Sequence, residues 1–463
     1  MSRRKKALPE PGNARELAVR VLTDIENRQA YSNLELKRVL EQTKLLHRDK
    51  ALATELVYGT ISRLYTLDWM LAQFVNQPLD KLEGWARNLL RISFYQLTYL
   101  DRIPAHAVVH EAVEIAKVWG HKGVAGMVNG VLRNRLRHPE RVDIPADLPP
   151  VERIALVHSH PKWMVEEWLR RFGEVETENM CAANNQPPRL SLRANVLRAT
   201  RDELIAQIEK QATDAEVEPS MIAPEGVIAS DVGNIAELPA YTSGSCTVQD
   251  ESSMLVARAL APEAGMRVLD MCAAPGGKTT HIAELMGNKG QIIALDVHPH
   301  KIKLIEANAF RLGISIIRAR HGDARDAAHL LAGETFDRIL VDAPCTGLGV
   351  IRRKPDIKWY KWQEDARSIS EIQYEILCAA SRLAAPGSKI VYSTCTVQPE
   401  ENIELVRRFL AGHPEWELDK SLIQDMPRAL QEKYPTLVEG YVQILPHHFH
   451  TDGFFISRLK MKQ

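Results

Sequence analysis

Two cysteines fifty residues apart are the groups in this chain best placed for covalent chemistry. Cys345 closes the run Ile339-Leu340-Val341-Asp342-Ala343-Pro344-Cys345, and Cys395 closes Ile390-Val391-Tyr392-Ser393-Thr394-Cys395. Both runs have strand character, and the carboxyl edge of an open α/β sheet is where ligands bind, so two thiols there can meet in one site. Cys395 has polar Ser393, Thr394 and Thr396 around it and a helix beginning near Pro399, the kind of setting a thiolate needs. Cys378, inside the helical stretch 372–383, reads instead as a small hydrophobe.

Upstream, Cys272-Ala273-Ala274-Pro275-Gly276-Gly277-Lys278-Thr279-Thr280 joins a strand to a helix. Its small residues let backbone amides and a helix N-terminus approach a ligand closely. Three cofactor readings compete for this loop. A P-loop needs G-x-x-x-x-G-K-[ST]; Gly277-Lys278-Thr279 supplies its end, but Cys272 stands where the first glycine belongs. The dinucleotide fingerprint G-x-G-x-x-G is absent. The third reading is the methyl donor S-adenosylmethionine, whose methyltransferases use a doubly wound sheet with a small-residue first loop. Three aspartates at successive strand ends favour a nucleoside cofactor. Asp296, after Ile292-Ile293-Ala294-Leu295, is placed to accept both ribose hydroxyls. Asp323 follows the third strand and suits the adenine amino group, and Asp342 follows the fourth, facing the reacting end. Any one alone would read as a turn or capping aspartate.

The elements that must position these residues divide the 463-residue chain into parts, since the length exceeds one ordinary domain. Residues 1–145 read as an all-α domain. Asn13 with Glu16 resembles a capping arrangement, and Leu17, Ala18, Val21, Leu22 and Ile25 share a face. Pro104 opens a second helix whose Val108, Ala112, Ile115, Ala116 and Trp119 share a face that Gly120 ends. Prolines 139, 145, 149 and 150 mark a linker, and 146–245 reads as that linker with a small α+β module: strands near Leu190–Ala194 and Gly226–Ser230 and a helix over Arg201–Gln211. From 246 to 463, strands at 267–271, 291–295, 315–319, 336–341 and 389–394 alternate with helices, which specifies a mostly parallel, doubly wound sheet covered on both faces. Tyr441–Leu445 and Phe454–Leu459 read as a closing antiparallel pair.

Composition is that of a globular protein, 45% apolar and 25% charged. The six cysteines include no C-x-x-C pair, which argues against a zinc site and a disulfide framework and for a reducing cytoplasm; no metal is expected. Arg3, Arg4, Lys5 and Lys6 lack the apolar core of a signal peptide, and no stretch is apolar for long enough to span a membrane. Formal charge is about +6 over 1–150, about −6 over 151–245 and near zero beyond, so the N-terminal part favours a polyanion. A monomer is the working expectation.

Met271-Cys272-Ala273-Ala274-Pro275-Gly276-Gly277-Lys278, Asp342-Ala343-Pro344-Cys345, Ser393-Thr394-Cys395 and Pro399-Glu400-Glu401-Asn402 together resemble the RNA cytosine-5 methyltransferases of the Sun/NOL1/NOP2 family. Val248-Gln249-Asp250-Glu251-Ser252-Ser253 matches the segment before that fold, and the boxes stand in the family's order across 246–463. Ile103-Pro104-Ala105-His106-Ala107-Val108-Val109-His110-Glu111 and Gly126-Met127-Val128-Asn129-Gly130 are similar to the NusB-type RNA-binding domain, and Asn184-Asn185-Gln186-Pro187-Pro188-Arg189 to the family's linking module. A departure is Thr346, where the family has serine after the cysteine; a hydroxyl is kept.

The resemblance implies a Rossmann-like catalytic domain, S-adenosylmethionine held by Cys272 to Lys278 with Asp296, Asp323 and Asp342, and 16S ribosomal RNA as substrate. It also implies a division of labour between the thiols. Cytosine C5 is a poor nucleophile until a thiolate adds to C6 and turns the ring into an enamine; the family places this nucleophile at Cys395 and product release at Cys345. Asp342 would bond the ring near N3 and the exocyclic amine. The target base must leave its stack, which an RNA loop or bulge permits most readily. Residues 350–362, with Arg352, Arg353, Lys354, Lys358, Trp359, Tyr360 and Trp362, combine cations and aromatic faces suited to RNA. Two other classes compete. A non-catalytic RNA-binding protein would not require a thiol at 395, and a nucleotide hydrolase lacks its P-loop glycine and a clear metal-binding carboxylate set.

Overall fold

The structure, a computed structural model, describes residues 9–28, 30–360 and 363–462. It divides into two compact units, residues 1–186 with 351–360, and residues 187–350 with 361–463.

The first unit is helical. Helices span Ala14–Arg28, Ser32–Gln42, His47–Ser62, Leu64–Ala72, Gly84–Tyr99, Ala105–Trp119 and Lys122–Arg137, followed by Pro150–His158 and Lys162–Asn184. The expected signals operate locally. Asn13 Oδ1 accepts the backbone N–H groups of Arg15 and Glu16 (3.0 and 2.9 Å), Pro104 and Gly120 flank the helix at 105–119, and every apolar residue assigned to those two helix faces is buried.

Segment 351–360 belongs to this unit, and burial takes Arg352 and Lys358 out of the set of cations read as suited to RNA, while Lys354 is exposed. Ile351, Arg352, Asp356, Ile357 and Lys358 are buried. Lys358 Nζ donates to the carbonyls of Ser62 (2.8 Å) and Ser159 (2.9 Å) and to Asn185 Oδ1 (3.0 Å), while burial pushes its pKa well down. Trp359 Nε1 donates to the Ile61 carbonyl (2.9 Å), and Ser32 donates to Asp356. Lys358 and Trp359 therefore serve packing. Trp362 and the basic residues 3–6 lie outside the described residues.

The second unit contains two sheets. β1 (Leu190–Ala194), β2 (Glu216–Pro219), β3 (Gly226–Ser230) and β4 (Cys246–Val248) form an antiparallel sheet in the order β2-β3-β1-β4, with a helix at Arg201–Gln211. β2 and β4 escaped the sequence reading: Glu216-Val217-Glu218-Pro219 is too exposed and charged, and β4 too short, to carry a periodic signal.

The larger sheet comprises β5 (Arg267–Asp270), β6 (Gln291–Asp296), β7 (Ile317–His321), β8 (Phe336–Asp342), β9 (Ala384–Thr394), β10 (Trp416–Leu418), β11 (Tyr441–Ile444) and β12 (Phe454–Met461). β9-β8-β5-β6-β7 run parallel; β12 joins β9 antiparallel and carries β10 and β11. Successive strand residues feed opposite cores, as the two-residue period requires: Val268, Ile292, Leu340 and Val391 on one face, Leu269, Ile293, Ile339 and Ile390 on the other. β5 lies between β8 and β6, so the strand order reverses beside it, and the crevice outside the carboxyl ends there is the expected ligand site. Among the described residues, no helix is long and apolar enough to cross a membrane.

Candidate functional site

The carboxyl ends of β5, β6 and β8 are Asp270, Asp296 and Asp342, so the strands deliver three carboxylates to one edge. The loop after β5 is folded by its own sequence. Ala273 N–H donates to Leu295 O (2.8 Å), Ala274 N–H to Asp296 Oδ2 (3.2 Å), and Gly276 N–H closes a turn on Ala273 O (2.7 Å). Gly276 has φ +99°, a left-handed conformation that favours glycine, and a Cβ there would meet Ile305 Cα at 3.3 Å. Pro275 O accepts from Asn308, and Gly277 opens the nine-residue helix Gly277–Leu285. Cys272 is half-buried, its thiol pushed far up by burial and by four surrounding carboxylates, so it lines the loop as a neutral group.

Around this loop, Asp296 spends one oxygen on Ala274 and the other on the His298 N–H (2.9 Å). Asp323 caps the following turn and pairs with Arg325 (2.7 Å), whose guanidinium lowers its pKa. Asp270 is fully buried. Its Oδ2 accepts from Thr279, its Oδ1 has no protein partner, and burial pushes its pKa up to about 7. An unbonded buried acceptor, a left-handed glycine turn and carboxylates at consecutive strand ends fit a cationic nucleoside with a ribose diol.

The thiols meet. Cys345 Sγ and Cys395 Sγ are 3.3 Å apart, at the ends of the adjacent parallel strands β8 and β9. Asp342 stands beside them, accepting from Ser393 Oγ (2.9 Å) and paired with Lys278 Nζ (2.7 Å). Lys278 thus does more than line the loop. Burial disfavours its ammonium, but Asp342, Cys395 and Asp270 outweigh that and raise its pKa. A cation beside a thiol favours the thiolate. The Cys345 thiol is held far up, first by its hydrogen bond to Cys395, then by burial and like-charge repulsion. Cys345 is therefore held as a neutral thiol against Cys395.

Several positioning residues carried no role in the sequence reading. Arg193, fully buried on β1, makes a bidentate pair with Glu284 (3.0 and 2.7 Å), donates to Gly277 O (2.7 Å) and Thr280 Oγ1 (3.1 Å), and also bonds Gln249. It ties the four-stranded sheet to the first turn of helix Gly277–Leu285. The available signal was an arginine inside the strand run Leu190-Ser191-Leu192-Arg193-Ala194. Gly349 donates to Cys395 O (3.0 Å) and accepts from Gly453 N (2.8 Å), an approach no side chain allows: a Cβ would lie 1.9 Å from Gly453 O. Glu401 and Asn402 hold the residues flanking both thiols.

Known proteins match the chain along its length. Residues 257–460 match the family described as 16S rRNA methyltransferase RsmB/F, residues 12–137 the NusB family, and residues 160–235 the ferredoxin-like domain of RsmF/B-like methyltransferases. The probable ribosomal RNA small subunit methyltransferase B of Bacillus subtilis is 47% identical, over 97% of this chain and 99% of its own. The ribosomal RNA small subunit methyltransferase B of Klebsiella pneumoniae is 35% identical, over 96% and 98%. Among solved structures, that of PH0851 aligns with TM-score 0.78 at 28% identity over 98% of this chain and all of its own. A methyltransferase homologue from Pyrococcus horikoshii aligns at 0.58 and 26%, over 68% of this chain and all of its own.

Proposed function

Because the chain belongs to the RsmB/F family of 16S rRNA methyltransferases, we propose that it methylates C5 of a cytosine in small-subunit ribosomal RNA, with Cys395 as nucleophile and S-adenosylmethionine as methyl donor. The observation that carries this reading is the 3.3 Å pair of thiols beside the Asp342–Lys278 ion pair. RNA binding needs no such pair.

The bound cofactor supplies an electrophilic methyl group, and Cys272 to Lys278 with Asp270, Asp296 and Asp323 would hold it. Cys395 attacks C6 as a thiolate, with the Lys278 ammonium close by. As the C6–S bond forms, electron density moves to C5 and negative charge gathers toward N3 and O2, which the Lys278 ammonium stabilises while Asp342 accepts from the exocyclic amine and orients the ring. C5 takes the methyl group. Once bonded to carbon, Cys395 carries no charge, so two of the influences that raise the Cys345 pKa, its hydrogen bond to Cys395 and the repulsion between the sulfurs, are gone, while burial and Glu401 remain. Cys345 then gives its own proton to solvent and, as thiolate, accepts the C5 proton; the C–H pair re-forms C5=C6 as the C6–S bond breaks and Cys395 leaves as thiolate, so one proton is released per turnover.

Cys395→Ala is expected to abolish 5-methylcytosine formation on 16S rRNA while retaining S-adenosylmethionine binding by calorimetry. A Cys395→Ala enzyme that still forms 5-methylcytosine would overturn the nucleophile assignment. Cys345→Ala should instead accumulate a protein–RNA adduct that survives denaturing electrophoresis.

A further inference from the structure

Glu401 is fully buried, and its carboxylate faces one of the two thiol turns. Oε2 accepts the Thr346 N–H (2.9 Å) and Gln373 Nε2 (3.0 Å), and Oε1 accepts the Thr346 hydroxyl. Gln373 also donates to Pro344 O (2.8 Å). The residues immediately before and after Cys345 are therefore held by one Glu401–Gln373 pair. The next residue repeats the arrangement on the other thiol. Asn402 accepts from the Thr394 hydroxyl and donates to Thr396 O (3.0 Å), so its amide brackets Cys395. The Thr346 and Thr396 hydroxyls meet at 2.9 Å and join the two brackets.

We propose that Glu401 and Asn402 are positioning residues with separable duties: Glu401 sets Cys345 for product release, and Asn402 sets Cys395 for attack on the base. The inference rests on the covalent mechanism above and adds an assignment of two adjacent residues to its opposite ends. Thiols at 3.3 Å must exchange roles within one turnover, so each needs its own restraint. A carboxylate suits the first duty because both groups offered by Thr346 are donors, Gln373 adds a third and the Thr396 hydroxyl a fourth. An amide suits the second, since it faces one hydroxyl donor and two acceptors, Thr396 O and Gln443 Oε1 (2.7 Å). Thr346 in place of the family's serine keeps the hydroxyl this scheme uses.

The test compares the fate of the adduct. Glu401→Gln turns an amide nitrogen toward the Thr346 N–H or hydroxyl. kcat should fall about tenfold to a hundredfold with little change in KM, as misplacement of a reacting group does. The denaturation-resistant protein–RNA adduct should rise several-fold over wild type, as for Cys345→Ala. Asn402→Ala should lower kcat while the adduct falls below wild type. Thr346→Val, which removes the hydroxyl at constant shape, should resemble Glu401→Gln in milder form, and Thr346→Ser should restore wild-type turnover and adduct. A purely structural role would lower activity and adduct together in both variants; that result, or adduct accumulating in Asn402→Ala, overturns the proposal. Should Glu401→Gln fail to fold, the Thr346 pair decides: equal adduct in Val and Ser variants overturns it. Methylation by Cys395→Ala would instead mark failure of the covalent reading itself.

Discussion

Replacing Arg193 by methionine removes the guanidinium that joins the four-stranded sheet to the first turn of helix Gly277–Leu285. The side chain is inaccessible to solvent and makes two bonds to Glu284, with others to Gly277 O, Thr280 and Gln249. Methionine fills similar volume, so the cost is electrostatic: a buried carboxylate loses its counter-ion. Removing one partner of such a pair costs about 3–5 kcal/mol, and the several bonds place Arg193→Met at about 4 kcal/mol. The double variant Arg193→Met/Glu284→Met should recover most of that, because no charge is then stranded. The loss also has a pH signature. Burial already raises the Glu284 pKa, and without Arg193 it rises further. The folded state then binds a proton the unfolded state lacks, so stability falls as pH rises from about 5 through the folded pKa, and the deficit is larger at pH 8 than at pH 5.5. Guanidinium unfolding gives the total, and hydrogen-exchange mass spectrometry of helix Gly277–Leu285 localises it. A deficit below about 1 kcal/mol, or a double variant as unstable as the sum of the singles, would refute the reasoning.

Asp270 and His281 should drive stability in opposite directions on acidification. Burial raises Asp270 from 3.8 to about 7, so its contribution grows as pH falls through 7; burial and the Arg193 charge lower His281 from 6.5 to about 4, so its contribution is lost as pH falls below 6.5. Asp270→Asn should therefore lose stability more steeply than wild type between pH 7 and pH 5, and His281→Gln less steeply, by thermal unfolding; parallel curves would contradict the assigned directions. Gly349→Ala forces a methyl group against Gly453 O and the Cys395 carbonyl, costing about 1–3 kcal/mol by overpacking and lowering kcat more than cofactor affinity; an unchanged melting temperature would contradict it. Asp342→Asn weakens the pair with Lys278 and the partner for the ring, so kcat should drop about a hundredfold to a thousandfold in single-turnover assays, with loss under tenfold arguing against its role.

What the sequence revealed and what it concealed separate by range. Strand ends bearing Asp296, Asp342 and the two cysteines were legible because β-branched runs, small-residue turns and flanking helices are local, and the proximity of the thiols follows once β8 and β9 are known to be parallel neighbours. β2 and β4 were not, since their pairing partners rather than their own residues specify them. Arg193 and Glu284 are 91 positions apart and Lys358 and Ser62 nearly 300, and no periodicity reports such pairs. The Pro399-Glu400-Glu401-Asn402 box was visible as a motif, but its duty depends on a backbone amide at 346 that only the fold brings to it.

The insertion of residues 351–360 into the helical unit bears on how far this protein can be taken apart. A helical fragment ending at residue 186 would leave the carbonyls of Ile61, Ser62 and Ser159 without the donors that Lys358 and Trp359 supply. A complementary fragment starting at 187 would carry that lysine and tryptophan into water. The two units are thus not beads to be swapped between relatives at a single crossover. A working chimera needs the decapeptide exchanged together with the first 186 residues, and a split protein should reassemble around it.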